Sequence, residues 1–246
     1  TSQEGGPAGA VSLAEGQDIV TQVSAVDTNP LAAIVYSISG GADAALFSID
    51  SQTGALNFLS APDFDDPADQ GSDNTYEVVV QASNGSFSDS QILSVSVTNI
   101  NEGLAITSNS GADFASLAVI ENETNILITT AADIDGDVVS YAVSGGADAS
   151  LFTINAATGA LTFINAPNFE APGDAGGDNV YDVIVSASDG VFTDTQSLAV
   201  TVSNANEGVT ITSNGAVDGA AGSISENTQF AAAVAADDLD GDVVSY

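Results

Sequence analysis

Carboxylates and carboxamides supply nearly all the metal- or proton-handling chemistry this chain can offer. Its 246 residues include 34 Asp plus Glu and no Lys, Arg, His or Cys. Without imidazole or thiolate, typical zinc and copper sites are excluded. Most nucleophile–base pairs and cationic clamps cannot be built either. What remains is hard oxygen. Paired carboxylates can hydrolyse glycosides, and clustered ones can hold calcium, which takes six to eight oxygens. A catalytic pair is normally needed once. Here one acidic set recurs along the chain, which argues for architecture and against an enzyme.

Four clusters recur, all between apolar runs. Glu15 near the end of a first strand returns as Glu121 and Glu226. Asp63-Phe-Asp65 after a fifth strand returns as Asn168-Phe-Glu170. Asn99-Ile-Asn101-Glu102 returns as Asn204-Ala-Asn206-Glu207. Asp27-Thr-Asn29 after a second strand returns as Asp133-Ile-Asp135 and Asp238-Leu-Asp240. Asp and Asn favour turns anyway, but turn preference does not explain the same motifs in the same order twice. A further cluster, Asp69 to Asn74 and Asp174 to Asn179, reads as a flexible hairpin loop, with an extra ion as the alternative. The run from Asp133 fails as an EF-hand loop, because the Gly and Glu that loop requires fall on Val138 and Ser144.

The elements that must position these groups are strands. Residues 38–85 match residues 143–190, an offset of 105, so the chain holds two near-complete repeats and the first third of another. Such a period is the size of a folding domain, so the repeats are beads on a string. Val-, Ile-, Thr- and Phe-rich runs alternate with Gly, Asn and Asp clusters. In the second repeat they predict strands at 105–108 with 117–120, 126–131, 138–143, 151–154, 160–164, 180–187 and 196–203. About seven short strands per 100 residues read as an antiparallel Greek-key sandwich. The fold class is therefore all-β: tandem seven-stranded Greek-key β-sandwiches of immunoglobulin-like type. The expected domains are 1–102, 103–207 and 208–246, the last one partial. Tyr141, Phe152, Phe163, Phe169 and Tyr181 are the expected core aromatics, repeating Tyr36, Phe47, Phe58, Phe64 and Tyr76.

The formal net charge is −34, and hydrophobic residues make up 44% of the chain, too many for an acidic disordered tail. The chain should fold while mobile or bound cations offset self-repulsion. Nucleic acid is excluded because phosphate binding needs Lys or Arg. An anionic membrane surface would repel the chain, and no apolar run approaches a spanning length. The sequence reads as an internal segment of a longer protein. Trypsin has no site in it, which suits an extracellular setting. Asn84-Gly-Ser86 and Asn122-Glu-Thr124 fit the N-glycosylation pattern, and a glycan on Asn122 would crowd Glu121.

The order of these motifs resembles cadherin and bacterial cadherin-like repeats, over essentially the whole chain. The shared sequence runs from the Glu at the first strand end through Thr-Gly-Ala-Leu, Asp-Phe-Asp, Asn-x-Asn-Glu and Asp-x-Asp to Ala-Ser-Asp-Gly. In that family these motifs bind calcium between consecutive domains. The resemblance implies a first junction using Glu15, Asp63, Asp65, Asn99, Asn101 and Glu102, with Asp133, Asp135 and Asp189 from the second repeat. It implies a second junction using Glu121, Glu170, Asn204, Asn206, Glu207, Asp238 and Asp240. Asn99 and Asn204 stand where the family linker has Asp, Asn84 is the counterpart of Asp189, and the family's Asp-Arg-Glu is Asp-Phe-Asp or Asn-Phe-Glu here. Fewer charges per site imply weaker or fewer ions. The function expected is a calcium-stiffened extracellular stalk or fibre of a bacterial-type surface protein, with neighbouring repeats or identical chains as partners. The competing readings are a surface module binding glycan or protein, and the stalk of a larger secreted enzyme.

Overall fold

The computed structural model describes residues 8–29, 31–213, 223, 225–227 and 233–245. Two compact units are resolved, Thr1–Asn101 and Glu102–Tyr246.

In the first unit the strands are β1 (Ala8–Ala14), β2 (Ile19–Gln22), β3 (Val35–Gly40), β4 (Phe47–Ile49), β5 (Ala55–Phe58), β6 (Thr75–Ser83) and β7 (Ser88–Thr98). They form one sheet ordered β1-β7-β6-β3 and another ordered β2-β5-β4. The second unit repeats the plan. Its strands are β8 (Ala105–Ile106), β9 (Phe114–Ile120), β10 (Asn125–Ile128), β11 (Ala131–Ala132), β12 (Ser140–Gly145), β13 (Phe152–Ile154), β14 (Ala160–Phe163), β15 (Val180–Ser188) and β16 (Thr193–Ser203). The sheets here are β12-β15-β16-β9 and β10-β14-β13, with β8 and β11 as a separate bridge. Beyond them, β17 (Thr210–Ile211) pairs with β18 (Ala236–Asp237).

Alternation explains the sandwich. Tyr181, Val183 and Val185 of β15 point inward opposite Val200, Leu198 and Gln196 of β16. Strand side chains alternate between faces, so this face closes over Phe152, Leu161 and Phe163 from the other sheet. Phe152 and Phe163 stack at 4.7 Å, and Tyr181 meets Phe163 edge-on at 5.1 Å. Phe47, Phe58 and Tyr76 reproduce the group in the first unit. Tyr141 and Phe169 are only half-buried.

One pairing departs from the expected antiparallel plan. In each sandwich the first long strand runs parallel to the last: β1 beside β7, and β9 beside β16. Alternation of apolar residues reads the same in either direction, so the sequence pattern does not reveal it. The consequence is positional. Ile120 lies opposite Ser203, so Glu121 and the segment after Ser203 leave the sheet side by side.

Candidate metal centre

Glu121 occupies that point and is only 1% exposed. Its N–H donates to Ser203 O at 3.0 Å. Its two carboxylate oxygens accept from Ala205 N at 2.8 Å and Phe169 N at 2.8 Å. One side chain thus ties the strand end, the loop after β14 and the exit segment together. Glu170 follows Phe169 directly, and Glu207 follows Ala205 by two residues. Glu207 N–H in turn donates to Asp240 Oδ2 at 2.6 Å. Asp238 shapes the turn that presents Asp240, its Oδ1 accepting from Asp240 N at 3.1 Å and Asp242 N at 3.3 Å.

The result is a knot of like charges. One carboxylate oxygen from each of Glu121, Glu170, Glu207 and Asp240 lies within 4.8 Å of the others. Glu170 Oε2, Glu207 Oε2 and Asp240 Oδ1 are buried and accept no hydrogen bond. Buried charge without a partner is costly, and this chain has no side-chain cation to supply one. Desolvation, with the charges of Glu121, Asp240 and Glu170, pushes the Glu207 pKa above its ordinary value. The Glu207 N–H pulls that of Asp240 down; desolvation opposes this and the Asn204 side chain assists it. In the ion-free cluster a proton therefore settles on Glu207 before Asp240.

The first unit assembles part of the same arrangement. Glu15 is buried, its N–H donates to Thr98 O at 3.0 Å, and its oxygens accept from Phe64 N at 2.7 Å and Ile100 N at 2.6 Å. Asp63 and Asp65 contribute oxygens within the same 4.8 Å reach. In the second unit Glu102 N–H donates to Asp135 Oδ2 at 2.7 Å, matching Glu207 and Asp240. Asp133 accepts from Asp137 N at 3.1 Å, leaving its Oδ2 buried without a partner. Asn99 lies exposed just after β7, and Asn101 is half-buried. Asn206 Nδ2 donates to Glu207 O at 3.1 Å. Asp189 serves the hairpin between β15 and β16, with its Oδ1 accepting from Val191 N at 2.7 Å and Phe192 N at 2.6 Å.

Sequence reasoning missed Asn122. Its Nδ2 donates to Glu207 Oε1 at 3.1 Å, and its backbone has φ +66°. The position after the recurring Glu needs left-handed backbone, which Gly and Asn adopt most readily. Gly16 and Asn227 meet the same need at φ +72° and +65°. Gly or Asn after each such Glu was the available signal.

The hairpin cluster has a different explanation from flexibility. Asp148 is 4% exposed, and its oxygens accept from Ala175 N at 2.7 Å and Asp182 N at 2.8 Å. Asp174, also buried, accepts from Asp178 N at 3.0 Å and Asn179 N at 3.1 Å. Desolvation raises the Asp174 pKa, but the N–H groups of Asp178, Asn179 and Gly177 outweigh it and leave the value below normal. Asp43 and Asp69 do the same work in the first unit. These carboxylates pin loops with oxygens already occupied by backbone donors.

No family model matches the sequence. Human Protocadherin Fat 1 is 31% identical over 142 residues, 54% of this chain, and the chain spans 3% of that protein's length. The human CDH23 EC21–23 structure is similar over 95% of this chain and 84% of its own, at TM-score 0.61 and 16% identity. Human Protocadherin-24 EC1-2 is similar over 78% of this chain and 93% of its own, at TM-score 0.57 and 18% identity. Mouse Cadherin-23 EC22-24 covers 82% of this chain and 64% of its own, at TM-score 0.55 and 21% identity. At 16–21% identity the solved structures show a likeness of fold alone, the β-sandwich. Its two sandwiches share the β-sandwich fold of cadherin ectodomain repeats.

Proposed function

We propose that this chain is a calcium-dependent extracellular structural segment, a stalk or fibre stiffened where repeats join. The observation that carries it is the group of three buried, unpartnered oxygens on Glu170, Glu207 and Asp240, beside Glu121 in a chain without basic side chains. Calcium–oxygen bonds of about 2.3–2.6 Å place opposite ligands about 4.6–5.2 Å apart. Four oxygens within 4.8 Å therefore fit a single shell. A bound calcium ion supplies two positive charges to this site. Asn204, Asn206 and Asp238 are at hand as further oxygen donors.

The chain's own residues set what binding would achieve. Glu121, Glu170 and Glu207 precede or end the second repeat, and Asp240 belongs to the repeat that follows. Ligands from consecutive repeats then share one ion, so binding free energy becomes conformational free energy. By sequence recurrence the reading extends to Glu15, Asp65, Glu102 and Asp135, the counterparts of the four. No catalytic step is assigned to these residues. The extracellular setting rests on the same chemistry, since millimolar calcium is an extracellular condition suited to weaker sites.

Calorimetric calcium titration and small-angle scattering test this together. Saturable binding and a longer, better-defined particle with calcium than with chelator are expected. Glu207→Gln combined with Asp240→Asn should weaken binding by about tenfold or more, since even supporting residues cost this much at metal sites. An absence of binding heat with an unchanged scattering profile would reject the reading.

A further inference from the structure

The two units carry different atoms at one corner. In the second, Asp189 turns the β15–β16 hairpin by accepting the Val191 and Phe192 N–H groups on Oδ1, at 2.7 and 2.6 Å. In the first, Asn84 turns the β6–β7 hairpin in the same way, its Oδ1 accepting from Ser86 N at 3.0 Å and Phe87 N at 2.8 Å. The hairpin backbone therefore orients both side chains alike. With Oδ1 committed, the other terminal atom is a donor, Nδ2, at Asn84 and an acceptor, Oδ2, at Asp189.

That atom decides how a neighbouring loop is held, the one after β2 in the first unit and after β11 in the second. Asn84 Nδ2 donates to Asp27 Oδ2 at 2.6 Å. Asp27 Oδ1 accepts from Asn29 N at 2.7 Å. Both oxygens of Asp27 are thus satisfied. The Asn29 N–H and, after it, the Asn84 amide hold the Asp27 carboxyl below its ordinary pKa, against a smaller opposing effect of burial. Asp133, the counterpart of Asp27, also spends Oδ1 on a backbone donor, Asp137 N at 3.1 Å. Its Oδ2 is buried without a partner, and an ionised Asp189 has no hydrogen to donate to it. Asp135, with a further buried and unpartnered Oδ1, stands where the first unit has Asn29. Asp133, Asp135 and Asp189 in the second unit thus correspond to Asp27, Asn29 and Asn84 in the first.

We propose that Asn84 is the first unit's built-in substitute for a cation. Its amide, fixed by the hairpin, does for Asp27 what an ion would do for Asp133. The bond is charge-assisted, the stronger kind. The first loop is fastened to its hairpin without calcium and gains nothing from calcium, whereas the second loop needs the ion to be held as firmly. One exchange, Asn for Asp, sets which loop answers to calcium. The statement about the second loop rests on the calcium reading above; the statement about Asn84 does not.

Amide hydrogen exchange of the full chain, read by NMR in chelator and in millimolar calcium at equal ionic strength, tests it. The Asn29 N–H reports on Asp27 and the Asp137 N–H on Asp133. In the unaltered chain Asn29 should exchange equally slowly in both conditions, while Asp137 should slow when calcium is added. Asn84→Asp sets two carboxylates against each other. In chelator it should speed Asn29 exchange by about tenfold or more, the loss of one hydrogen bond to a charged group, and calcium should restore it. Asn84→Ala should speed exchange as much, with no rescue by calcium. Asp189→Asn should do the reverse of Asn84→Asp, making Asp137 exchange slow even in chelator. Asn84→Asp installs the residue that the second hairpin already carries, so it remains informative if Asn84→Ala unravels the turn. Asn29 exchange that slows with calcium in the unaltered chain overturns the proposal, as does Asn84→Asp exchanging no faster than the unaltered chain in chelator. If Asp137 ignores calcium while Asn84→Asp still loosens Asn29 in chelator, the calcium reading of the second loop fails and the Asn84 tie stands.

Discussion

Replacing Asp148 with alanine should destabilise the second repeat by about as much as any single change in it. The carboxylate is 4% exposed and accepts two backbone N–H groups, Ala175 at 2.7 Å and Asp182 at 2.8 Å. Hydrogen bonds to a charged group contribute about 1.5–3 kcal/mol each, so the pair is worth about 3–6 kcal/mol. Typical domains are stable by only about 5–15 kcal/mol. Asp148→Asn keeps one acceptor oxygen and turns its amide toward the other donor, so it should lose at least half as much. Urea unfolding of the full chain, followed by circular dichroism, reads both. The measurement should be made in chelator and again in millimolar calcium. The loss should be the same in each, because the oxygens of Asp148 are taken up by backbone donors. An unchanged midpoint for Asp148→Ala would refute the pinning argument. A loss seen only with calcium would show that Asp148 is an ion ligand instead.

Two further outcomes follow from the geometry. Glu207 has a pKa raised by desolvation and by Glu121, Asp240 and Glu170. A carboxyl whose folded pKa exceeds its unfolded value binds protons more tightly when folded. In chelator its contribution is therefore fully present below the ordinary Glu range of about 4.3 and is lost as pH rises through the folded value. Protons and calcium compete for the same oxygens, so calcium affinity should weaken as pH is lowered from 7.5 toward that raised value; titrations across the range check both signs. Gly146 has φ +106°, and a Cβ there would lie 2.4 Å from Asp182 O. Gly146→Ala should lower the thermal midpoint clearly, by more than the roughly 1 kcal/mol of an ordinary strained Gly replacement, whereas Gly190→Ala, with open space around it, should cost less.

Much of this was legible in the residues, and the gaps have physical causes. Alternating apolar positions in residues 180–187 and 196–203 marked β15 and β16 because one face of each is buried. The aromatic group at Phe152, Phe163 and Tyr181 followed from the same alternation. The parallel pairing of β9 with β16 was hidden, because inward–outward alternation carries no direction. Glu121, Glu170, Glu207 and Asp240 were all named through the resemblance to cadherin-like repeats, and the structure brings one carboxylate oxygen of each within 4.8 Å of the others. Asn122 escaped because its contribution depends on a backbone with positive φ, which is a property of the turn rather than of a motif. The Asp174 loop was misjudged as flexible, because an acidic, Gly-rich segment looks solvated until the donors around its buried carboxylate are seen.

Burial of a carboxylate therefore does not by itself mark a cation site in this chain, and what occupies its lone pairs decides. Asp43, Asp69, Asp148 and Asp174 are all buried, and each accepts two or more backbone N–H groups. Their charge is dispersed onto peptide dipoles, and no ion is required. Glu121 and Glu15 are intermediate: each fixes two N–H groups, and each also lies within reach of neighbouring carboxylates. Glu170, Glu207 and Asp240 keep a buried oxygen with no donor at all. In a protein with ordinary composition a lysine or arginine could have closed that gap. Here every residue of positive charge has been left out of the sequence, so the gap can be closed by a proton or by a metal ion. The two outcomes differ in what they join. A proton satisfies one side chain, whereas the proposed calcium ion, with six or more oxygens to fill, would draw Glu121, Glu170 and Glu207 toward Asp240 of the next repeat. The distribution of donors, more than the distribution of charge, separates the carboxylates that build each sandwich from those suited to joining one sandwich to the next.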